Sequence, residues 1–105
     1  MAEVIVYSEV EIEQRLEAEL PHWYLDQGWI HRKYETSGWK ETLMVVNAVG
    51  YLAEAAWHHP DLAVSYASVI VKLMTHSANG ITEKDFELAM KIEEVLQWRS
   101  NDGGA

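Results

Sequence analysis

The sequence predicts an α+β fold: a four-stranded antiparallel sheet covered on one face by three helices, in the order α-β-β-α-β-β-α. Three observations lead there. Apolar residues recur at helical spacing near the start, the middle and the end of the chain. Between these stretches lie two pairs of short β-branched or aromatic runs, each pair joined by a connection of hairpin length. Four short strands have no means of burying both sheet faces themselves, so the helices must cover one. The length of 105 residues is that of one domain spanning 1–105, with a core over about 8–98 and a frayed tail over 99–105.

The first helix starts at Ser8, whose hydroxyl and Glu11, three residues on, have capping-box spacing. Ile12, Leu16 and Leu20 form its apolar line, and Pro21 ends it by disfavouring helical backbone in the residue before it. Ahead of it, Val4–Tyr7 is a short β-branched run and a candidate minor strand. The first strand pair is Trp23–Leu25 and Trp29–Tyr34, joined by Asp26-Gln27-Gly28. In its second strand Ile30, Arg32 and Tyr34 share one face. After the break at Thr36-Ser37-Gly38, a helical pattern runs from Trp39 to about Trp57, with Leu43, Val46, Gly50, Ala53 and Trp57 on one stripe. The small residues Ala48, Gly50, Ala53, Ala55 and Ala56 leave room for a close neighbour such as a second subunit, and Pro60 prevents continuation. Leu62–Tyr66 and Val69–Thr75 read as the second pair, joined by Ala67-Ser68. Ser77–Gly80 is a loop in which Asn-Gly favours positive φ. Thr82 caps a last helix running to about Trp98, with Phe86, Ala89, Met90, Ile92, Val95 and Leu96 on its buried face.

Composition excludes several classes of function. At 49% apolar and 24% charged residues the chain is globular rather than disordered. Its net charge is −9, from 17 acidic against 8 basic residues, the wrong sign for a phosphate backbone, so nucleic acid is not expected as a partner. The absence of cysteine removes disulfides, thiolate metal sites and thiol catalysis together. No apolar run approaches the roughly 18 residues of a membrane span. The acidic stretch Met1–Gln14 lacks the basic flank of a signal peptide, so a cytoplasmic location is expected, with no membrane partner.

The chemistry concentrates at element ends. His58 and His59 follow the central helix, His76 ends the fourth strand, Glu54 lies one turn before His58, and Asp85 opens the last helix. Should the fourth strand run beside the end of the central helix, all five meet in one cleft. Imidazoles exchange protons near neutral pH, and two in one pocket can divide the work of acid and base. A carboxylate beside one fixes its tautomer. Such a set suits a proton-coupled elimination or isomerisation. Nucleophilic catalysis fits poorly, because Ser65, Ser68 and Ser77 have no glycine-elbow context. Each residue also has an ordinary structural explanation. The histidine pair before a proline can stop a helix, His76 can be a plain loop residue, and Glu54 can be a solvated helix residue. Asp85 has capping-box spacing to Thr82. A three-histidine zinc site is the main alternative chemistry. Adjacent histidines ligate one ion awkwardly, and the spacing matches no zinc motif, so no metal is expected. His22 and His31 are given no role.

The segment Glu54-Ala55-Ala56-Trp57-His58-His59-Pro60 resembles the signature of the pterin-4a-carbinolamine dehydratases. Tyr66, His76 and Asp85 complete the family pattern E-x3-H-H-P-x5-Y-x9-H-x8-D, seven fixed positions over 32 residues. Asn79–Asp85 is also similar to the family's glycine loop and helix start. The resemblance implies the dehydration of 4a-hydroxytetrahydropterin to quinonoid dihydropterin, with neither metal nor bound cofactor. It implies that His58, His59 and His76 are the active-site histidines, with Glu54 and Asp85 as supporting carboxylates. Pro60, Leu62, Thr75 and Ser77 fall where the pterin would be held, and Leu62 stands in place of the aromatic residue of animal relatives. The family also implies a homodimer or homotetramer. It contains members without the histidine pair that serve in protein assembly, so a non-catalytic binding or assembly protein on the same scaffold is the competing reading.

Overall fold

The structure, a computed structural model, describes residues 4–99. Its helices are α1 (Glu9–Glu19), α2 (Trp39–Ala56) and α3 (Glu83–Leu96), and its strands are β1 (Tyr24–Asp26), β2 (Trp29–Glu35), β3 (Asp61–Ser65) and β4 (Ser68–Leu73). The strands form one antiparallel sheet in the order β1-β2-β4-β3, and the chain runs α-β-β-α-β-β-α as the periodicities predict. The tail expected to fray lies, from Ser100 onward, outside the described residues.

Local chemistry explains most boundaries. At α1 both halves of the capping box form: the Glu11 amide donates to Ser8 Oγ at 3.2 Å and the Ser8 amide to Glu11 Oε1 at 2.8 Å. The first hairpin turns on two residues, Gln27 at φ 52° and Gly28 at φ 84°. Two consecutive positive φ values match the right-handed twist of the strands, and Asp26, expected in the loop, instead pairs with Trp29 and closes β1. The second hairpin turns on Tyr66-Ala67, one residue earlier than expected, with Ser65 opposite Ser68. Neither turn residue has positive φ, so tertiary bonds fix the turn. Buried Thr42 donates its hydroxyl to the Tyr66 carbonyl at 2.9 Å, and the Thr36 amide donates to the Ala67 carbonyl at 2.9 Å.

The core lies between the sheet and the helices. Ile30 and Tyr34 of β2 and Val69, Val71 and Leu73 of β4 are fully buried on the covered face. Ile12 and Leu16 of α1, Val45, Val49 and Ala53 of α2, and Phe86, Leu88, Ala89 and Ile92 of α3 pack onto them. Each such aliphatic side chain contributes about 1.5–3 kcal/mol by leaving water. The buried stripe of α2 is thus Thr42-Val45-Val49-Ala53, displaced around the helix from the expected one, whose Leu43, Gly50 and Trp57 are exposed. In α3, Leu88 is buried where Met90 and Val95 were expected to be, and the helix ends at Leu96 on a left-handed Gln97.

Val4–Tyr7 forms neither helix nor strand. One backbone bond holds it, from the Tyr7 amide to the Ile81 carbonyl at 2.9 Å. A clasp completes the attachment: Arg15 reaches both carboxylate oxygens of Glu83 at 2.5 and 2.8 Å, and the Tyr7 hydroxyl donates to Glu83 Oε1 at 2.8 Å. The Arg15 guanidinium also lies 4.4 Å from the centre of the Phe86 ring. Hydrogen bonds from Arg15, aided by Tyr7, hold the Glu83 carboxyl down at about 2.

Candidate active site

Three chain segments meet at one edge of the helical layer: the end of α2, the end of β4 and the start of α3. The first is shaped by a helix stop. Trp57 adopts the left-handed conformation at φ 52°, its amide bonds to the Glu54 carbonyl at 3.1 Å, and the His58 amide bonds to the Ala53 carbonyl at 3.1 Å. This 6→1 and 5→2 pairing is a Schellman stop, normally built on glycine. A tryptophan there carries backbone strain of about 1 kcal/mol. The reversal sends the two histidines different ways. His58 turns inward and donates Nε2–H to Asp85 Oδ1 at 2.6 Å, while His59 stays outside and meets Glu54 Oε1 at 2.9 Å.

Asp85 is completely buried, and its satisfaction explains why it can be. Oδ2 accepts the Thr75 hydroxyl at 2.8 Å and the Thr82 amide at 2.9 Å, while Oδ1 accepts His58. All three partners donate, so hydrogen bonds satisfy both oxygens of the buried carboxyl group. The same residue is both the capping-box acid of α3 and the hydrogen-bond partner of His58. The Glu54–His59 pair is different in kind: its side chains are 67% and 52% exposed, which leaves it free to exchange partners with water.

The third imidazole arrives from β4. Thr75 bridges Gly80, and a single 3-10 turn, His76–Ala78, closes on a left-handed Asn79 at φ 53°. Gly80 itself has ordinary φ. Its need for glycine comes from packing, because a Cβ there would lie 2.6 Å from Val6 Cγ1. His76 packs edge-on against Trp29 with ring centres 5.3 Å apart.

His58, His59 and His76 line one open cleft of about 260 Å³. Thr75 and Ser77 form part of its wall, as do Trp57, Met74 and Lys84. Glu54 and Asp85 reach it through their histidines. Pro60 and Leu62 are not in its lining: Leu62 sits opposite Val71 in the sheet and packs partly buried against the core. Tyr66 lies in the turn before β4, while His76 follows the end of that strand, so the two are at opposite ends of it. Lys84 and Met74 were not anticipated from sequence. Lys84 neighbours Asp85 in the first turn of α3, and nothing but the fold distinguishes it from other surface lysines. His31 stacks on Tyr24 at 5.1 Å and donates Nε2–H to the Asp26 carbonyl at 3.2 Å, away from the cleft. Among the described residues no group of three or more His, Asp or Glu side chains is arranged to hold a metal ion, and no helix is long and apolar enough to cross a membrane.

Comparison with known proteins gives a consistent result. The family described as "Pterin 4 alpha carbinolamine dehydratase" matches residues 6–95. A protein of Aquifex aeolicus, provisionally named a pterin-4-alpha-carbinolamine dehydratase, is 49% identical over 90 residues, covering 86% of this chain and 90% of its own. A similarly named protein of Chloroflexus aurantiacus is 43% identical over 89 residues, covering 85% and 95%. Among solved structures, a Brucella melitensis protein described as a transcriptional coactivator/pterin dehydratase superposes with a TM-score of 0.78 at 28% identity, covering 87% of this chain and 98% of that one. A pterin dehydratase-like protein identified as a RuBisCO assembly factor of the alpha-carboxysome shares the fold alone, at 14% identity and a TM-score of 0.57 over 70% of this chain and 84% of its own. On the match across most of its length and the identity to these relatives, the chain belongs to the pterin-4-alpha-carbinolamine dehydratase family.

Proposed function

We propose that this protein dehydrates 4a-hydroxytetrahydropterin to quinonoid dihydropterin by histidine acid–base catalysis, as a step of pterin recycling in the cytoplasm. The C4a hydroxyl leaves as water after receiving a proton, the N5 hydrogen is removed, and the N5 electron pair forms the new C4a=N5 bond. His58 and His59 share the two proton transfers, and His76 holds and polarises the hydroxyl. The observation that carries the reading is the convergence of three imidazoles on one cleft, two of them oriented by a carboxylate. Asp85 accepts the Nε2 hydrogen of His58, which leaves Nδ1 as the nitrogen free to exchange a proton and provides a fixed negative group against charge forming on the ring.

The test is a direct dehydration assay. His58→Ala and His59→Ala should each lower kcat by about 10²-fold or more, the usual scale for general acid–base groups. Full activity in either variant removes that histidine from proton transfer. No acceleration by the unsubstituted protein turns the reading toward a binding or assembly protein on this scaffold.

The same reading includes a homodimer or homotetramer. Support comes from the outer face of α2, where Met44 and Tyr51 are 62% and 73% exposed beside Leu43 and Gly50. Ala53, one of the small residues expected at a partner, is instead committed to the core. Light scattering should return a multiple of the 12.0 kDa chain, and Tyr51→Glu should shift it toward the monomer.

A further inference from the structure

Among the described residues, the non-glycine positions with left-handed backbone are Gln27, Trp57, Asn79 and Gln97. Three of these carry polar amide side chains; Trp57 alone places a large aromatic ring there. Burial does not account for it, because Trp57 is 74% exposed and has no part in the core. What the indole does touch is the His59 ring, edge-on, with centres 5.1 Å apart and planes at 80°. Both rings stand in the wall of the histidine cleft.

His58 and His59 differ in what holds them. His58 is fixed by Asp85, a carboxylate that is buried and satisfied on both oxygens. His59 is bonded to Glu54, and both of those side chains are more than half exposed. A single hydrogen bond at Nε2 leaves an imidazole able to swing about it, and a second contact on the ring removes that freedom. We infer that Trp57 is a positioning residue: its indole keeps the His59 imidazole in the orientation that meets Glu54 and faces the cleft. The inference rests on the proposed role of His59 in proton transfer and adds to it how an exposed ring is kept in place. An aromatic pair of this kind favours one arrangement by about 2- to 10-fold.

The test is Trp57→Gly, which removes the ring and suits the left-handed backbone, so the helix stop is kept. In the free protein the Hα–Hβ couplings of His59, read by NMR, should show one dominant rotamer with Trp57 present and averaged values in the glycine variant. In the dehydration assay that variant should lose about 2- to 10-fold in kcat, with KM unchanged and Tm no lower. Trp57→Phe, which keeps an aromatic ring, should restore most of the loss. In a His59→Ala background, Trp57→Gly should have no further effect. Full kcat in Trp57→Gly, or an equal loss in the His59→Ala background, overturns the inference and leaves the proton-transfer assignment standing. A fall in mass by light scattering would assign the indole to a subunit contact and overturn it as well. Absence of dehydration by the unsubstituted protein overturns the proposed function, and the couplings then decide this inference alone: averaged values with Trp57 in place overturn it.

Discussion

Asp85 shows how much one residue type can be asked to do. A buried carboxylate is tolerated because three donors converge on it, and removing its charge leaves donors without an acceptor. An asparagine there would offer one acceptor oxygen and turn hydrogens toward groups that already donate. Each buried donor orphaned costs about 1–3 kcal/mol. Asp85→Asn should accordingly destabilise the fold by at least about 2 kcal/mol, measured by urea denaturation. Glu54→Gln should change it by less than about 1 kcal/mol, because an exposed ion pair contributes little. Equal effects would contradict the contrast drawn between the two histidine anchors. The pattern of residues made both carboxylates visible as candidates. What the pattern lacked was the difference in burial between them, which comes from where the first turn of α3 meets β4.

Elements were legible to the degree that their residues spoke for one face. α1 has a sparse apolar line and a capping box, and it begins where those two signals place it. The inward faces of β2 and β4 follow from alternation, with Ile30, Tyr34, Val69, Val71 and Leu73 on one side, whereas the pairing of these two strands is visible only in the structure. α2 is apolar nearly all round, so its periodicity permitted more than one stripe. The true stripe was disguised by Thr42, a polar residue buried to hold the Tyr66 turn. The histidine-bearing ends of α2 and β4 could be placed by spacing, but nothing in the pattern singled out Lys84, and the family resemblance put Leu62 near a ligand where the fold packs it against the core. The segment Val4–Tyr7 looked strand-like because β-branched residues fit pleated surface, yet among the described residues it joins no sheet. It is held by the Tyr7–Ile81 bond and the Arg15–Glu83 clasp, and Val6 packs closely over Gly80. Gly80→Ala should force that contact apart and cost about 1–3 kcal/mol. Adding Val6→Ala should recover most of the loss, giving a clear coupling in a double-mutant cycle. Additive effects would mean that Val6 and Gly80 are not energetically coupled, leaving the Tyr7 bonds to hold the segment.

At the scale of the whole molecule, stability depends on acid residues that are already spoken for. Glu83, held at about 2 by Arg15 and Tyr7, binds its proton more readily when the chain unfolds, where its ordinary value is near 4.5. Its contribution is therefore complete above pH 4.5 and is lost as pH falls from there through about 2. Hydrogen bonds from the Ser8 backbone and side chain lower Glu11 as well, so the cap of α1 weakens in the same direction. Thermal unfolding followed across pH 2–5 should show Tm falling steadily on acidification. Arg15→Met should lower Tm at neutral pH and flatten that acid slope, and an unchanged slope would show that other carboxylates dominate acid unfolding.

The sharing of Asp85 has a consequence for observing the cleft. Its two oxygens belong to one delocalised group, one bonded to an imidazole and the other to the backbone amide that opens α3. Whatever alters the His58 ring, whether a proton or a guest, redistributes electron density across that group. The nitrogen-15 resonance of Thr82, itself hidden from solvent, becomes a built-in spectroscopic reporter of events at the histidine.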